Sequence, residues 1–128
     1  WRSTIGRFES EEQAFAKLMR RAQMLKDGAT STDGALRGFS EETKLAITEM
    51  NSGVAKLKAL GSSLRKAEKG AEKSLAGVEE VLGELRTSPS TDAVALRSEL
   101  GVVQATLERQ RRDAMRELKR IYKQGIEI

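Results

Sequence analysis

The side chains best suited to chemistry in this sequence are positively charged, and in one segment they recur at helical spacing. Arg109, Arg112, Arg116, Lys119 and Lys123 follow one another at steps of three and four residues, which places them on one face of a helix. Such a face attracts anions. A second basic stretch lies earlier in the chain, and the predicted anion-binding residues are together Lys58, Arg65, Lys66, Lys69, Lys73, Arg109, Arg112, Arg116, Lys119, Arg120 and Lys123.

The two basic stretches reach the same level if the chain folds back between them. An antiparallel hairpin about residues 87 to 91 brings Lys66 level with Arg112. Stacked like charges are better tolerated when an anionic partner neutralises them. The predicted partners are acidic phospholipid membranes and acidic protein surfaces, and nucleic acid ranks last because no aromatic platform accompanies the arginines. The alternative is a solvated face whose cations pair with local carboxylates such as Glu108.

Other residue types argue against catalysis. The chain of 128 residues contains no histidine and no cysteine, the side chains that supply most general bases, thiolate nucleophiles and zinc ligands. Its glycines form no phosphate-binding loop of the Walker type. We therefore predict a protein that is not an enzyme, with no catalytic residue, no metal site and no cofactor.

Helices must carry these side chains, because apolar residues recur every three or four positions between residues 40 and 86. A hydrophobic content of 38% with 33% charged residues is typical of helical rods with much exposed surface. No segment alternates between apolar and polar residues as a half-buried strand would. We predict an all-α fold, an elongated antiparallel three-helix bundle or coiled coil with a long central helix.

Capping residues and glycines predict the boundaries of the helices. Leu36 and Phe39 keep the seven-residue phase within a glycine-rich segment, so a loop there has helical continuation as its alternative. The chain forms a single domain, 1–128, and a first residue other than methionine indicates a piece of a longer protein. The predicted elements are helix one at about 4–27, a loop at 28–39, helix two at 40–86, a turn at 87–91 and helix three at 89–126.

The heptad phase of helix three slips by one irregular step at Gln110 and Arg111. A polar layer that fixes the register of the helices would explain the slip. The apolar seam could instead rotate at this point to face another chain. The sequence leaves both explanations open.

A helix one that ends near residue 27 covers only part of the two longer helices. The uncovered part would be an apolar seam, and such seams are usually interfaces. We therefore predict a homodimer or a complex with a related helical subunit. The predicted interface residues are Leu64, Leu75, Val78, Leu82, Leu85, Leu96, Leu100, Val103 and Leu107.

The run from Leu107 to Ile126 resembles the last helix of BAR domains of the sorting-nexin kind. In both, an arginine-rich turn leads to an aspartate, here Asp113, then to an apolar repeat and to a tyrosine, here Tyr122. The resemblance implies a dimer whose basic face lies on acidic, curved membranes in endosomal or vesicle traffic.

These features together predict a non-catalytic helical scaffold that dimerises and binds acidic membrane surfaces. It would be cytoplasmic and peripherally membrane-associated, since no apolar run is long enough to cross a bilayer. The alternative is a structural coiled-coil subunit that mediates protein-protein assembly, of the tethering-complex or fusion-machinery type.

Overall fold

The computed structural model describes residues 2–49, 53–86, 88 and 90–127, with side chains from residue 11 onward. Three helices make up almost all of this part of the chain: α1 (Arg2–Thr48), α2 (Gly53–Leu85) and α3 (Thr91–Tyr122). No strand occurs among the described residues. The all-α prediction is confirmed.

The three helices pack side by side as a bundle. Helix α1 runs antiparallel to α2, because Ala46 near its end contacts Gly53 at the start of α2, while Arg21 in its first half contacts Glu80 near the end of α2. Helix α3 is antiparallel to α2, because Arg65 donates to Tyr122 near the end of α3. Helices α1 and α3 are therefore parallel, and the predicted three-helix bundle is confirmed.

The predicted loop at 28–39 is wrong, since these residues belong to the 47-residue helix α1. A Cβ added at Gly28, Gly34 or Gly38 would meet nothing within 4 Å, so packing does not require glycine there. Glycine lowers helix stability by about 1 kcal/mol relative to alanine, which is why the segment looks like a loop. Contacts with α3 override that preference, because Ala29 and Leu36 of this segment are buried in the bundle.

The predicted continuous helix at 40–86 is also wrong, because α1 ends at Thr48 and α2 begins at Gly53. The longest helix is consequently α1 and not a central one. Gly53 lies directly against α1, and a Cβ there would come within 2.5 Å of the carbonyl oxygen of Ala46. The sequence pattern does not indicate this break, because the heptad repeat has the same phase before and after it. Met50, one member of that repeat, lies outside the described residues.

The second connection matches the prediction more closely. Helix α3 begins at Thr91, and the Ser90 hydroxyl accepts a hydrogen bond of 3.1 Å from the backbone N–H of Ala93. Arg97 holds the turn by donating to the carbonyl oxygens of Leu85 and Arg86, each at 3.1 Å. Helix three ends at Tyr122, earlier than predicted, and Gly125 follows with a φ of 76°.

The apolar seam predicted to bind another chain is the core of this one. Leu64, Val78, Leu85, Leu96, Leu100, Val103 and Leu107 are buried, while Leu75 and Leu82 are partly buried against them. Side chains of α1 cover the seam, including Ala22, Phe15, Leu18 and Leu25. The premise that helix one is too short to reach it is wrong, because α1 spans the full length of the bundle.

We expect the same substitution to have opposite effects at two glycines. Gly53→Ala should destabilise the bundle by about 1–3 kcal/mol, because its methyl group overlaps a backbone carbonyl that cannot rotate away. Gly34→Ala should stabilise it by about 0.5–1 kcal/mol, because its methyl group enters open space in a helix. Urea unfolding followed by far-UV circular dichroism measures both, and equal effects would contradict the close α1–α2 approach.

Candidate binding surfaces

The eleven predicted anion-binding residues all lie outside the core. Ten of them are exposed, and Arg120 is half-buried. Helix α2 carries five of them and α3 carries five, and Lys123 follows directly after α3. What differs between the residues is whether a carboxylate of the same chain already pairs with them.

Three of the predicted anion-binding arginines, all on α3, pair with carboxylates of the same chain. Arg109 donates two hydrogen bonds of 3.0 Å to the carboxylate of Asp33 on α1 and lies 3.6 Å from Asp113. Arg116 binds Asp113 at 3.0 Å. Arg120 lies 3.6 Å from Glu117. Carboxylates of the same chain therefore partly neutralise these three cations.

A buried polar layer between α1 and α3 explains the phase slip in the sequence. Gln110 is only 1% exposed, and its amide donates to the backbone oxygen of Ala29 at 2.6 Å and to Asp33 at 2.9 Å. Its Oε1 atom has no hydrogen-bond partner among the described residues. A buried polar group without a partner lowers stability. The alignment of α1 against α3 that gives the Gln110 amide its two hydrogen bonds is therefore favoured over other alignments. Of the two explanations, the structure shows the polar layer.

Two turns further along, Glu117 makes a second polar contact between the same helices. It is 3% exposed and accepts a hydrogen bond of 3.1 Å from the Ser40 hydroxyl of α1. Asp33, Ser40 and Glu117 were missed by the sequence analysis. The segment holding Asp33 had been assigned to a loop, and the pairing of α1 with α3 was not foreseen.

The pKa of Asp33 is set by competing effects. Partial burial alone would raise it, but hydrogen bonds from Gln110 and Arg109 and the charges of Arg109 and Arg37 outweigh burial. The pKa of this carboxyl therefore lies below its usual range. Asp33 stays ionised, and its charge ties α1 to α3.

The remaining predicted cations form no ion pair with any carboxylate in the described part of the chain. Arg65 donates to the Tyr122 hydroxyl at 2.9 Å and makes no ion pair. Lys66, Lys69 and Lys73 are exposed at helical spacing on α2, and we call these three residues the lysine face. The others without a carboxylate partner are Lys58, Arg112, Lys119 and Lys123.

The structure does not bring all the basic residues to one side. Lys66 and Lys73 stand two heptads and one heptad before Glu80, which contacts Arg21 of α1, so they lie toward the α1 side of α2. Arg112 instead lines a groove between α2 and α3 together with Glu72 and Glu108. The predicted neighbours Lys66 and Arg112 thus lie on different flanks.

That groove, which we call the outer groove, has a volume of about 600 Å³. Leu75, Ala76 and Met115 provide its apolar surface, and Met115 is 42% exposed. Its charged lining residues are Glu72, Glu79, Glu108, Arg111 and Arg112. The lysine face and the outer groove are the two candidate binding surfaces.

None of the described helices combines the length and apolarity needed to cross a bilayer. No group of histidine, cysteine or acidic side chains among the residues that the structure describes has a metal-binding arrangement.

Comparison with known proteins identifies a family. A family model described as "RHIP1: RGS1-HXK1-interacting protein 1" matches residues 1–128. No curated protein and no solved structure matches the chain. The resemblance to BAR domains of the sorting-nexin kind is therefore wrong. It depended on residues 107–126, where an apolar repeat with arginines is a pattern that many helical bundles share, whereas the match covers the whole chain.

The ionic role of Asp33 can be tested by the pH dependence of stability. Asp33→Asn should lower the free energy of unfolding near neutral pH by about 1 kcal/mol, because an amide cannot replace the charge-assisted bonds from Arg109. Because the pKa is lowered by folding, this contribution is complete above the unfolded pKa of about 3.9 and disappears as the pH falls through the folded pKa.

Urea titrations at several pH values should therefore show the wild type and Asp33→Asn converging in acid. Asp27→Asn is the matched control, because Asp27 is an exposed aspartate of the same helix that forms no ion pair with any described residue. A stability difference that stays constant into strong acid would contradict the ionic role of Asp33.

Proposed function

We propose, since the chain belongs to the RGS1-HXK1-interacting protein 1 family, that it is a non-catalytic module that binds RGS1 and HXK1. The observation that carries the proposal is the match of the family to residues 1–128, because it covers the whole bundle with both candidate surfaces. The chain then acts through binding alone. The absence of histidine and cysteine from its sequence supports this.

The bundle suits such a role because its two candidate surfaces differ in chemistry. The lysine face is entirely cationic and fits an acidic protein surface. The outer groove combines apolar side chains with carboxylates and fits a different partner. A bundle of this kind can hold two proteins at once, and we propose that it bridges its two partners as a scaffold.

A second candidate function is peripheral binding to an acidic membrane from the cytoplasmic side. The specific observation in its favour is that Lys66, Lys69 and Lys73 have no carboxylate partner among the described residues. Each such cation near an anionic leaflet contributes about 1 kcal/mol. Self-association has less support, because the seam that predicted it is covered by α1.

Titration of the purified chain with purified RGS1 and with purified HXK1 tests the first proposal. We expect both to bind, with affinities that decrease as salt is added. Reversing the lysine face with Lys66→Glu, Lys69→Glu and Lys73→Glu together should weaken binding of the partner that uses it by about tenfold or more. If only one of the two binds, the bridging role is wrong, and if neither binds, the whole proposal is wrong.

The matched control is the triple variant Lys17→Glu, Arg20→Glu, Lys44→Glu. It changes the net charge equally at three exposed cations of α1 and should leave the affinity nearly unchanged. Sedimentation with vesicles of anionic phospholipid, and with neutral vesicles, tests the second candidate with the same variants. Equal sedimentation with both kinds of vesicle would exclude it.

A further inference from the structure

We infer that the outer groove is the docking site for an amphipathic helix of a partner protein, one whose apolar stripe is flanked by lysine or arginine. The inference rests on the proposed protein-binding function and adds the position of the site and the chemistry of its occupant. It follows from the shape of the groove, its apolar surface and the charges at its rim.

The shape of the groove is that of a missing fourth helix. Two packed helices form a groove on each side. Helix α1 occupies one of them, contacting α2 at Gly77 and α3 at Gln110. The outer groove is lined over two helical turns of each helix, from Glu72 to Glu79 on α2 and from Glu108 to Met115 on α3. A helix that presents residues at i, i+3, i+4 and i+7 fits such a surface.

The apolar surface of the groove is partly exposed to solvent in the isolated chain. Met115 is 42% exposed, and Leu75 is only partly buried although it packs against the core. Ala76 is exposed and lies on α2 between the lining residues Glu72 and Glu79. Small and flexible apolar side chains of this kind accommodate the apolar stripe of a docking helix.

The charges at the rim determine the chemistry of the occupant. Glu72, Glu79 and Glu108 form no ion pair within the described residues. Arg111 lies 4.0 Å from Glu68, which leaves Arg112 as the single unpaired cation of the lining. Three unpaired carboxylates against one unpaired guanidinium favour a basic helix.

The groove between α1 and α3 provides the contrast. Val102, on its surface, is 68% exposed, so this groove is also apolar. Its charged lining residues are Lys26 and Glu99, one of each sign, and they favour neither a basic nor an acidic partner. Val102 is therefore the matched control for Met115, because both are exposed apolar residues of α3.

The experiment uses the full chain with a fluorophore on Ala76→Cys, which is the only labelling site because the chain has no cysteine. Four probes are titrated: RGS1, HXK1, a synthetic helical peptide with leucine at its apolar positions and lysine on its flanks, and the same peptide with glutamate for lysine. We expect the lysine peptide and one of the proteins to change the fluorescence, and the glutamate peptide to bind about tenfold more weakly or not at all.

Variants then locate the site. Glu72→Lys, Glu79→Lys and Glu108→Lys together, and separately Met115→Glu, should each weaken binding of the lysine peptide by about tenfold or more, while Val102→Glu leaves it unchanged. Met115→Gln, a milder change, should give a smaller loss, and the far-UV spectrum of each variant shows that it is folded. Equal binding of both peptides, or equal loss on Val102→Glu, would overturn the inference.

The two proposals fail separately. If RGS1 and HXK1 both bind the groove variants with the same affinity as the wild type, the groove inference is wrong and the proposed function stands. If the lysine peptide binds at the groove and neither protein does, the proposed function is wrong and the docking site stands.

Discussion

The bundle depends on the polar contact that Asp33 of α1 makes with Arg109 and Gln110 of α3. The stretch of α1 around it is a poor helix former, with glycine at three positions and threonine hydroxyls that bond back to the carbonyl oxygens of Lys26 and Gly28. Its buried apolar side chains are few and mostly small. Contacts with α3 therefore stabilise the helical conformation of this stretch more than its own sequence does. If this stretch were not helical, α1 could not cover the seam between α2 and α3.

The same contact sets the register of the bundle. Small apolar residues such as Ala22 and Ala29 could slide along α3 with little change in buried area. Gln110 and Asp33 cannot, because a shift by one turn would leave the buried amide and the carboxylate without partners. The unpaired Oε1 of Gln110 remains a cost in this register, and the two bonds of its NH2 group offset it. Fixed register in turn determines which charges reach the surface.

The sequence predicts some of these features, and particular residues show why it cannot predict the rest. The heptads on either side of the turn at 87–91 predict the α2–α3 hairpin, because periodicity is a local signal, although α3 begins at Thr91, later than predicted. The α1–α2 connection has no such signal, since the heptad repeat continues through it and only the close approach of Gly53 to Ala46 reveals the turn. In the same way, the helix around Gly34 depends on residues far along the chain, and propensity alone assigns it to a loop.

For the candidate surfaces too, the sequence predicts what depends on local spacing and not what depends on contacts between helices. Spacing along one helix correctly placed all eleven cations outside the core, but it could not tell which would be neutralised. In the structure, most of the arginines are paired with described carboxylates and the lysines are not. Arg109 reaches two carboxylates at once because a planar guanidinium has several fixed donors, and Arg116 and Arg120 also lie against carboxylates. The lysines, each a single hydrated charge on a flexible chain, remain without carboxylate partners among the described residues.

Arg112 is the one arginine of the set that makes neither an ion pair nor a side-chain hydrogen bond within the described residues, and it lines the outer groove. Charge available to a partner is therefore concentrated in the lysines and in this groove. Among the other arginines that dominated the sequence pattern, Arg109 holds α3 against α1, and Arg116 and Arg120 pair with carboxylates of α3 itself.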